Sequence, residues 1–101
     1  MIAMETDRRP LLVFFRNARS GPARRMESLI AHVARKERSR LKVREIDIDE
    51  QADLAERFRV ETVPTLVLVK DKRVVGRLEG RVSAPRIERL LEQHLDGLAA
   101  A

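Results

Sequence analysis

Five consecutive apolar residues, Leu11-Leu12-Val13-Phe14-Phe15, lead within five positions into Ser20-Gly21-Pro22, and an amphipathic pattern follows at once. A short apolar run without alternation suits a strand covered on both faces. Ser20 is a good helix N-cap, and Pro22 is tolerated in a first helical turn. Met26, Leu29, Ile30 and Val33 then fall at helical spacing, with Arg24, Arg25, Glu27, Arg35 and Lys36 outside. The pattern predicts a helix to about Arg38. A doubly covered strand feeding such a helix confines the chain to a layered α/β architecture.

The remaining pattern extends this plan. Leu41–Ile48 alternates and predicts a second strand. Asp49 is placed to cap a short helix carrying Leu54, Ala55 and Phe58. Residues 65–69 form a third, apolar strand, and Lys70-Asp71-Lys72 turns the chain into a fourth over Arg73–Glu79, which Gly80 breaks. Ser83 is placed to cap a last helix with Pro85 in its first turn and Ile87, Leu90, Leu91 and Leu95 inward. The order is β-α-β-α-β-β-α. Strands joined through helices are expected to run parallel, and the tight connection at 70–72 makes the last pair antiparallel. A mixed four-stranded sheet with helices on both faces follows. Residues 1–10 read as an N-terminal extension, 11–96 as the one domain and 97–101 as a fraying tail.

Composition narrows the function classes. No stretch approaches the roughly 18–20 apolar residues of a membrane helix. Met1–Pro10 lacks the apolar segment of a signal peptide, so a cytoplasmic protein without membrane contact is expected. There is no cysteine, which fits that compartment without requiring it. The net charge is +5, and 17 of the 21 basic residues are arginine. Arginine's planar fork suits carboxylate and phosphate, although the same excess can reflect genome composition. The only aromatics are Phe14, Phe15 and Phe58, all at core positions. That leaves no stacking platform for nucleic acid.

The turn Arg19-Ser20-Gly21-Pro22-Ala23, the segment Thr62-Val63-Pro64-Thr65 before the third strand, and Gly80 after the fourth occur in the order and at the spacing of the thioredoxin family. The resemblance runs from Leu11 to Leu95. It implies a thioredoxin-like three-layer sandwich lacking the family's N-terminal strand and helix. It also implies a cis peptide bond before Pro64, beside the active-site turn, and a peptide groove bordered by Arg19, Thr62, Val63, Pro64, Gly80 and Arg81. The family carries Cys-Gly-Pro-Cys where this chain has Ser20-Gly21-Pro22-Ala23. Disulfide reduction needs a low-pKa thiolate and a resolving thiol, and Ser20 and Ala23 supply neither. Phe14 stands where the family has a buried acid that assists proton transfer. Arg16 and Arg19 replace two aromatics. Serine and alanine are also what laboratory substitution of cysteine leaves, so a redox-active relative stays open as an alternative.

Serine chemistry offers no substitute. A nucleophilic serine needs a base and an oxyanion site. His32 lies twelve residues along the same helix, about 18 Å away at 1.5 Å per residue, and His94 is near the end of the last helix. Asp47, Asp49 and Glu50 resemble neither paired catalytic carboxylates nor a metal cluster. No catalytic residue, metal or cofactor is therefore expected.

Two binding readings remain. Helix N-termini attract anions, and Arg16, Arg19, Arg24 and Arg25 surround this one with no acid between residues 16 and 26. Pro22 removes one donor, and the glycine-rich loop of a nucleotide site is absent. The leading expectation is a redox-inactive thioredoxin-like module for protein interaction or chaperone-type work. Its arginine-rimmed groove would take acidic extended segments by backbone pairing. A small-anion site is the lesser one.

Overall fold

The computed structural model describes residues 9–17 and 21–95, with 21–24 as backbone only. The elements are β1 (Leu11–Arg16), α1 (Gly21–Lys36), β2 (Lys42–Asp47), α2 (Ala52–Arg57), β3 (Thr65–Lys70), β4 (Arg73–Glu79) and α3 (Ala84–His94). They form one four-stranded sheet in the order β2-β1-β3-β4. The expected order of elements holds throughout. Ser20 as a cap, residues 1–8 of the N-terminal extension and the tail from 96 onward lie outside the described residues.

The central strand explains the layering. Leu12, Val13, Phe14 and Phe15 are all buried. Leu12 and Phe14 face one way and pack with Met26, Ile30 and Val33 of α1 and Ile87, Leu90 and Leu91 of α3. Val13 and Phe15 face the other way, against Ile46, Ala55 of α2 and Val67. The Phe15 and Phe58 rings meet with centroids 5.5 Å apart. Alternation in β1 is thus between two apolar layers, so the strand carries no polar face.

One strand direction differs from the expectation. β1 and β2 are parallel, but β3 runs antiparallel to β1, with Phe15 opposite Thr65 and Leu11 opposite Val69. A parallel crossover must carry the chain back along the strand, about 20 Å for six residues. Helix α2 has only six residues and rises about 9 Å. The chain therefore re-enters the sheet at the end where β2 left it.

Two caps also differ. The residue before α2 is Gln51, with no side-chain cap bond. Asp49 instead donates its main-chain N–H to Asp47 Oδ1 at 2.8 Å, an Asx turn leaving β2. Ser83 holds the N-cap position of α3 with Pro85 in the first turn, but its hydroxyl makes no cap bond.

The β3–β4 hairpin closes through Asp71 and Lys72, both at positive φ, 53° and 66°. This is the backbone of a two-residue primed turn, whose twist matches that of the strands. Further along, Leu68 pairs with Gly76 and Val69 with Val74, so Val75 is an extra residue in β4. The bulge lies beside Gly76, where a Cβ would overlap Leu90 Cδ1. Glycine there lets α3 seat directly on the strand.

Candidate functional site

The register of β1 against β3 gathers the segments of interest at one end of the sheet. Phe15, just before the 17–21 turn, pairs with Thr65, just after Pro64. The Val63–Pro64 peptide bond is cis and Pro64 is buried. Thr65, 1% exposed, donates its hydroxyl to the Thr62 C=O at 2.6 Å, which fixes the loop ahead of the proline. Gly80, at φ +80°, donates its N–H to the Pro64 C=O at 2.8 Å. Three predicted groove positions, Val63, Pro64 and Gly80, are thus held together by main-chain geometry. Among the described residues, neither the N–H nor the C=O of Val63 has a hydrogen-bond partner.

The arginines divide into different environments. Arg16 lies between two carboxylates, its Nε 2.9 Å from Glu45 Oε1 and 3.5 Å from Glu27 Oε2. Helical spacing alone hid this, because Glu45 approaches from β2. Arg25 and Arg81 are both exposed. With Met26, Leu29, Val82 and Ser83 they line an open depression of ≈ 400 Å³ between the start of α1 and the loop after Gly80. Thr62 is exposed beside Val63. Arg19, Ser20 and the side chains of Pro22, Ala23 and Arg24 lie outside the described residues, while Gly21 opens α1.

The position of the expected acid is filled by hydrocarbon. Phe14 is 0% exposed and packs in the layer with Met26 and Ile30. His32 is exposed on α1 and the His94 C=O accepts from Lys70 Nζ at 3.0 Å, so neither faces the 17–21 turn as a base. Among the described residues no group of three acidic, histidine or cysteine side chains is placed to hold a metal ion. None of the described helices is long and apolar enough to cross a membrane.

One contact has no counterpart in the sequence reading. Arg77 of β4 reaches across to the end of α2, donating from Nη2 to the Phe58 C=O and from Nη1 to the Arg59 C=O at 3.3 Å. An arginine in an edge strand gives no sign in sequence of which loop it serves.

The family model for thioredoxin matches residues 2–93. The chain belongs to the thioredoxin family. Among curated relatives, a thioredoxin-like protein of Synechocystis sp. is 33% identical over 88 residues, 87% of this chain and 81% of the relative. Thioredoxin 1 of Nostoc sp. is 28% identical over 86 residues, 85% of this chain and 80% of its own. Among solved structures, the germline-specific thioredoxin Deadhead of Drosophila melanogaster superposes with a TM-score of 0.83 at 26% identity, covering 91% of this chain and 87% of that one. A thioredoxin of Nicotiana alata gives 0.84 at 26% identity, over 93% and 80%. This member of the family has no cysteine.

Proposed function

We propose that this chain is a redox-inactive thioredoxin-like domain that binds extended protein segments. The observation that carries the reading is the unpartnered main chain of Val63, held beside buried Pro64 and tied to Gly80. An extended segment can add to that edge through its own backbone, independently of any thiol. The two arginines at the neighbouring depression, Arg25 and Arg81, favour acidic side chains over its apolar floor of Met26, Leu29 and Val82. Arg16, already neutralised by Glu27 and Glu45, weighs against a small-anion site at the start of α1.

Titration of ¹⁵N-labelled protein with acidic and basic unstructured peptides, and separately with phosphate, tests this. Amide shifts gathered at Val63, Thr65, Gly80, Arg81 and Arg25 with the acidic peptide alone are the expected result. Shifts with phosphate alone would replace the peptide reading with an anion site. No shifts at millimolar ligand would leave the fold without its family groove.

The names of the relatives favour a second reading, a thiol–disulfide oxidoreductase scaffold whose cysteines stand replaced by Ser20 and Ala23. Phe14 argues against it, because its buried ring offers no proton acceptor. The gene sequence at codons 20 and 23 separates the two readings.

A further inference from the structure

Helix α3 has two flanks of opposite charge, and they are treated differently by the fold. Its acidic flank, Glu88 and Glu92, borders the end of α1 with Lys36 and Arg40. Lys36 Nζ lies 3.8 Å from Glu88 Oε2 there. Its basic flank, Arg86 and Arg89, faces the open side of β4. Neither arginine has an acidic partner among the described residues, although five positive charges in excess already burden the chain. Glu79, the acid at the end of β4, is engaged by Arg77 at 3.6 Å instead.

Between that flank and the strand lies a depression of ≈ 170 Å³ with Leu78 and Leu90 on its floor and Arg86, Arg89 and Gln93 on its wall. Its depth suits a single aliphatic side chain. Its shape is set in advance, because Leu90 sits against the Cα of Gly76 with no room for a Cβ between them. β4 is the outermost strand on this side of the described sheet, so its outer main-chain groups face away from β3. The bulge at Val75 disrupts pairing at one end and leaves Gly76–Glu79 regular.

We propose that this flank is a second docking surface, distinct from the Val63 groove, for an acidic extended segment of a partner protein. One aliphatic side chain of the segment enters over Leu78 and Leu90. Carboxylates on either side of it meet the Arg86 and Arg89 guanidinium groups. Its main chain pairs with β4 over Gly76–Glu79. The arginine fork supplies two-point recognition of carboxylate that a lysine flank would not.

The test uses a fluorescein-labelled acidic peptide with one central leucine, its lysine-for-glutamate counterpart and a labelled oligothymidine, read by anisotropy with the full chain. Arg86→Glu with Arg89→Glu should weaken the acidic peptide about ten-fold and give the lysine peptide measurable binding. Both positions are exposed, and far-UV circular dichroism confirms that the variant is folded. Arg25→Glu with Arg81→Glu, which addresses only the Val63 groove, should leave the amide shifts at Leu78, Arg86, Arg89 and Gln93 in place. An acidic peptide that binds both α3 forms within two-fold would overturn the proposal. So would shifts confined to Val63 and Arg81, or binding of oligothymidine at α3 where the peptide fails.

Discussion

The main-chain N–H of Gly80 donates to the C=O of Pro64 at 2.8 Å, and this one bond fastens the loop after β4 to the loop before β3. Gly80 can turn that N–H inward because its φ is +80°, a conformation that L side chains rarely adopt. No heavy atom lies within 4 Å of where a Cβ would stand, so the constraint is conformational and not steric crowding from neighbours. Gly80→Ala should therefore cost about 1–2 kcal/mol. Gly80→Asn should cost less, since asparagine tolerates the left-handed region. Urea denaturation of the two variants checks the ranking. Equal and negligible losses would mean that the backbone relaxes freely and the bond to Pro64 is dispensable.

The opposite manoeuvre applies at the β3–β4 turn. Lys72 holds φ 66° without the excuse of being glycine, whereas Asp71 belongs to a residue type that accepts such angles. The flanking pair Lys70 and Arg73 fixes the two-residue geometry. Replacing Lys72→Gly produces the favoured Asp-Gly sequence for a primed turn. A gain of about 0.5–1 kcal/mol is expected, because relief of the lysine's unfavourable φ outweighs the added freedom of the unfolded chain. The midpoint of urea unfolding should rise with the slope unchanged. A fall would show that the lysine side chain makes a contribution greater than its backbone cost.

Hydrophobic pattern revealed most of this fold because the layers are built from pattern. The run Leu12–Phe15 could only be a doubly covered strand, and Ile87, Leu90 and Leu91 fall inward as helical spacing requires. The direction of β3 was not in the pattern. It depends on whether α2 is long enough to span the sheet, a length that Asp49 as a cap would have exaggerated and Gln51 as the actual boundary shortens. The groove was legible where main-chain geometry makes it, at Val63, Pro64 and Gly80. Ion pairs across elements were not: Glu45 reaches Arg16 only because β2 lies beside β1 in parallel. Gly76 did carry a sequence signal, an isolated glycine inside a strand, which marks a bulge or a close approach and here marks both.

Arg77 closes an end that the sequence left open. The C-terminal carbonyls of a helix have no partner within it, and α2 is so short that they are a large share of its main chain. Arg77 takes two in succession, at Phe58 and Arg59, with Arg59 itself at φ 57°. Arg77→Ala should cost about 1–2 kcal/mol, since the bonds are charge-assisted but partly exposed. Hydrogen exchange localises the effect: amides of 52–60 should lose protection before those of β1 and β3 do. Arg77→Lys should recover less than half, because a point ammonium cannot span both carbonyls. Uniform loss of protection across the sheet would show that the arginine supports β4 and not the helix end.

The absence of cysteine predicts a null result with a definite sequel. The chain should reduce no insulin disulfide with dithiothreitol as regenerant, because exchange requires a thiolate to attack and a second thiol to resolve the mixed disulfide. Ser20→Cys with Ala23→Cys supplies both sulfurs at the start of α1, where the helix N-terminus favours a thiolate. The double variant should therefore form a reversible disulfide, seen as two titratable thiols on reduction. Its turnover should still fall below that of an ordinary thioredoxin by on the order of a hundred-fold, the typical contribution of a positioned proton-transfer group. Phe14 cannot carry a proton, and it is packed at 0% exposure between α1 and the sheet, so no water reaches its position. Adding Phe14→Asp should not repair the defect, since exchanging a core ring for a carboxyl costs about 3–5 kcal/mol, a large part of a total stability of about 5–15 kcal/mol. If the two cysteines alone restore full activity, proton transfer in this fold does not pass through the strand position that Phe14 holds.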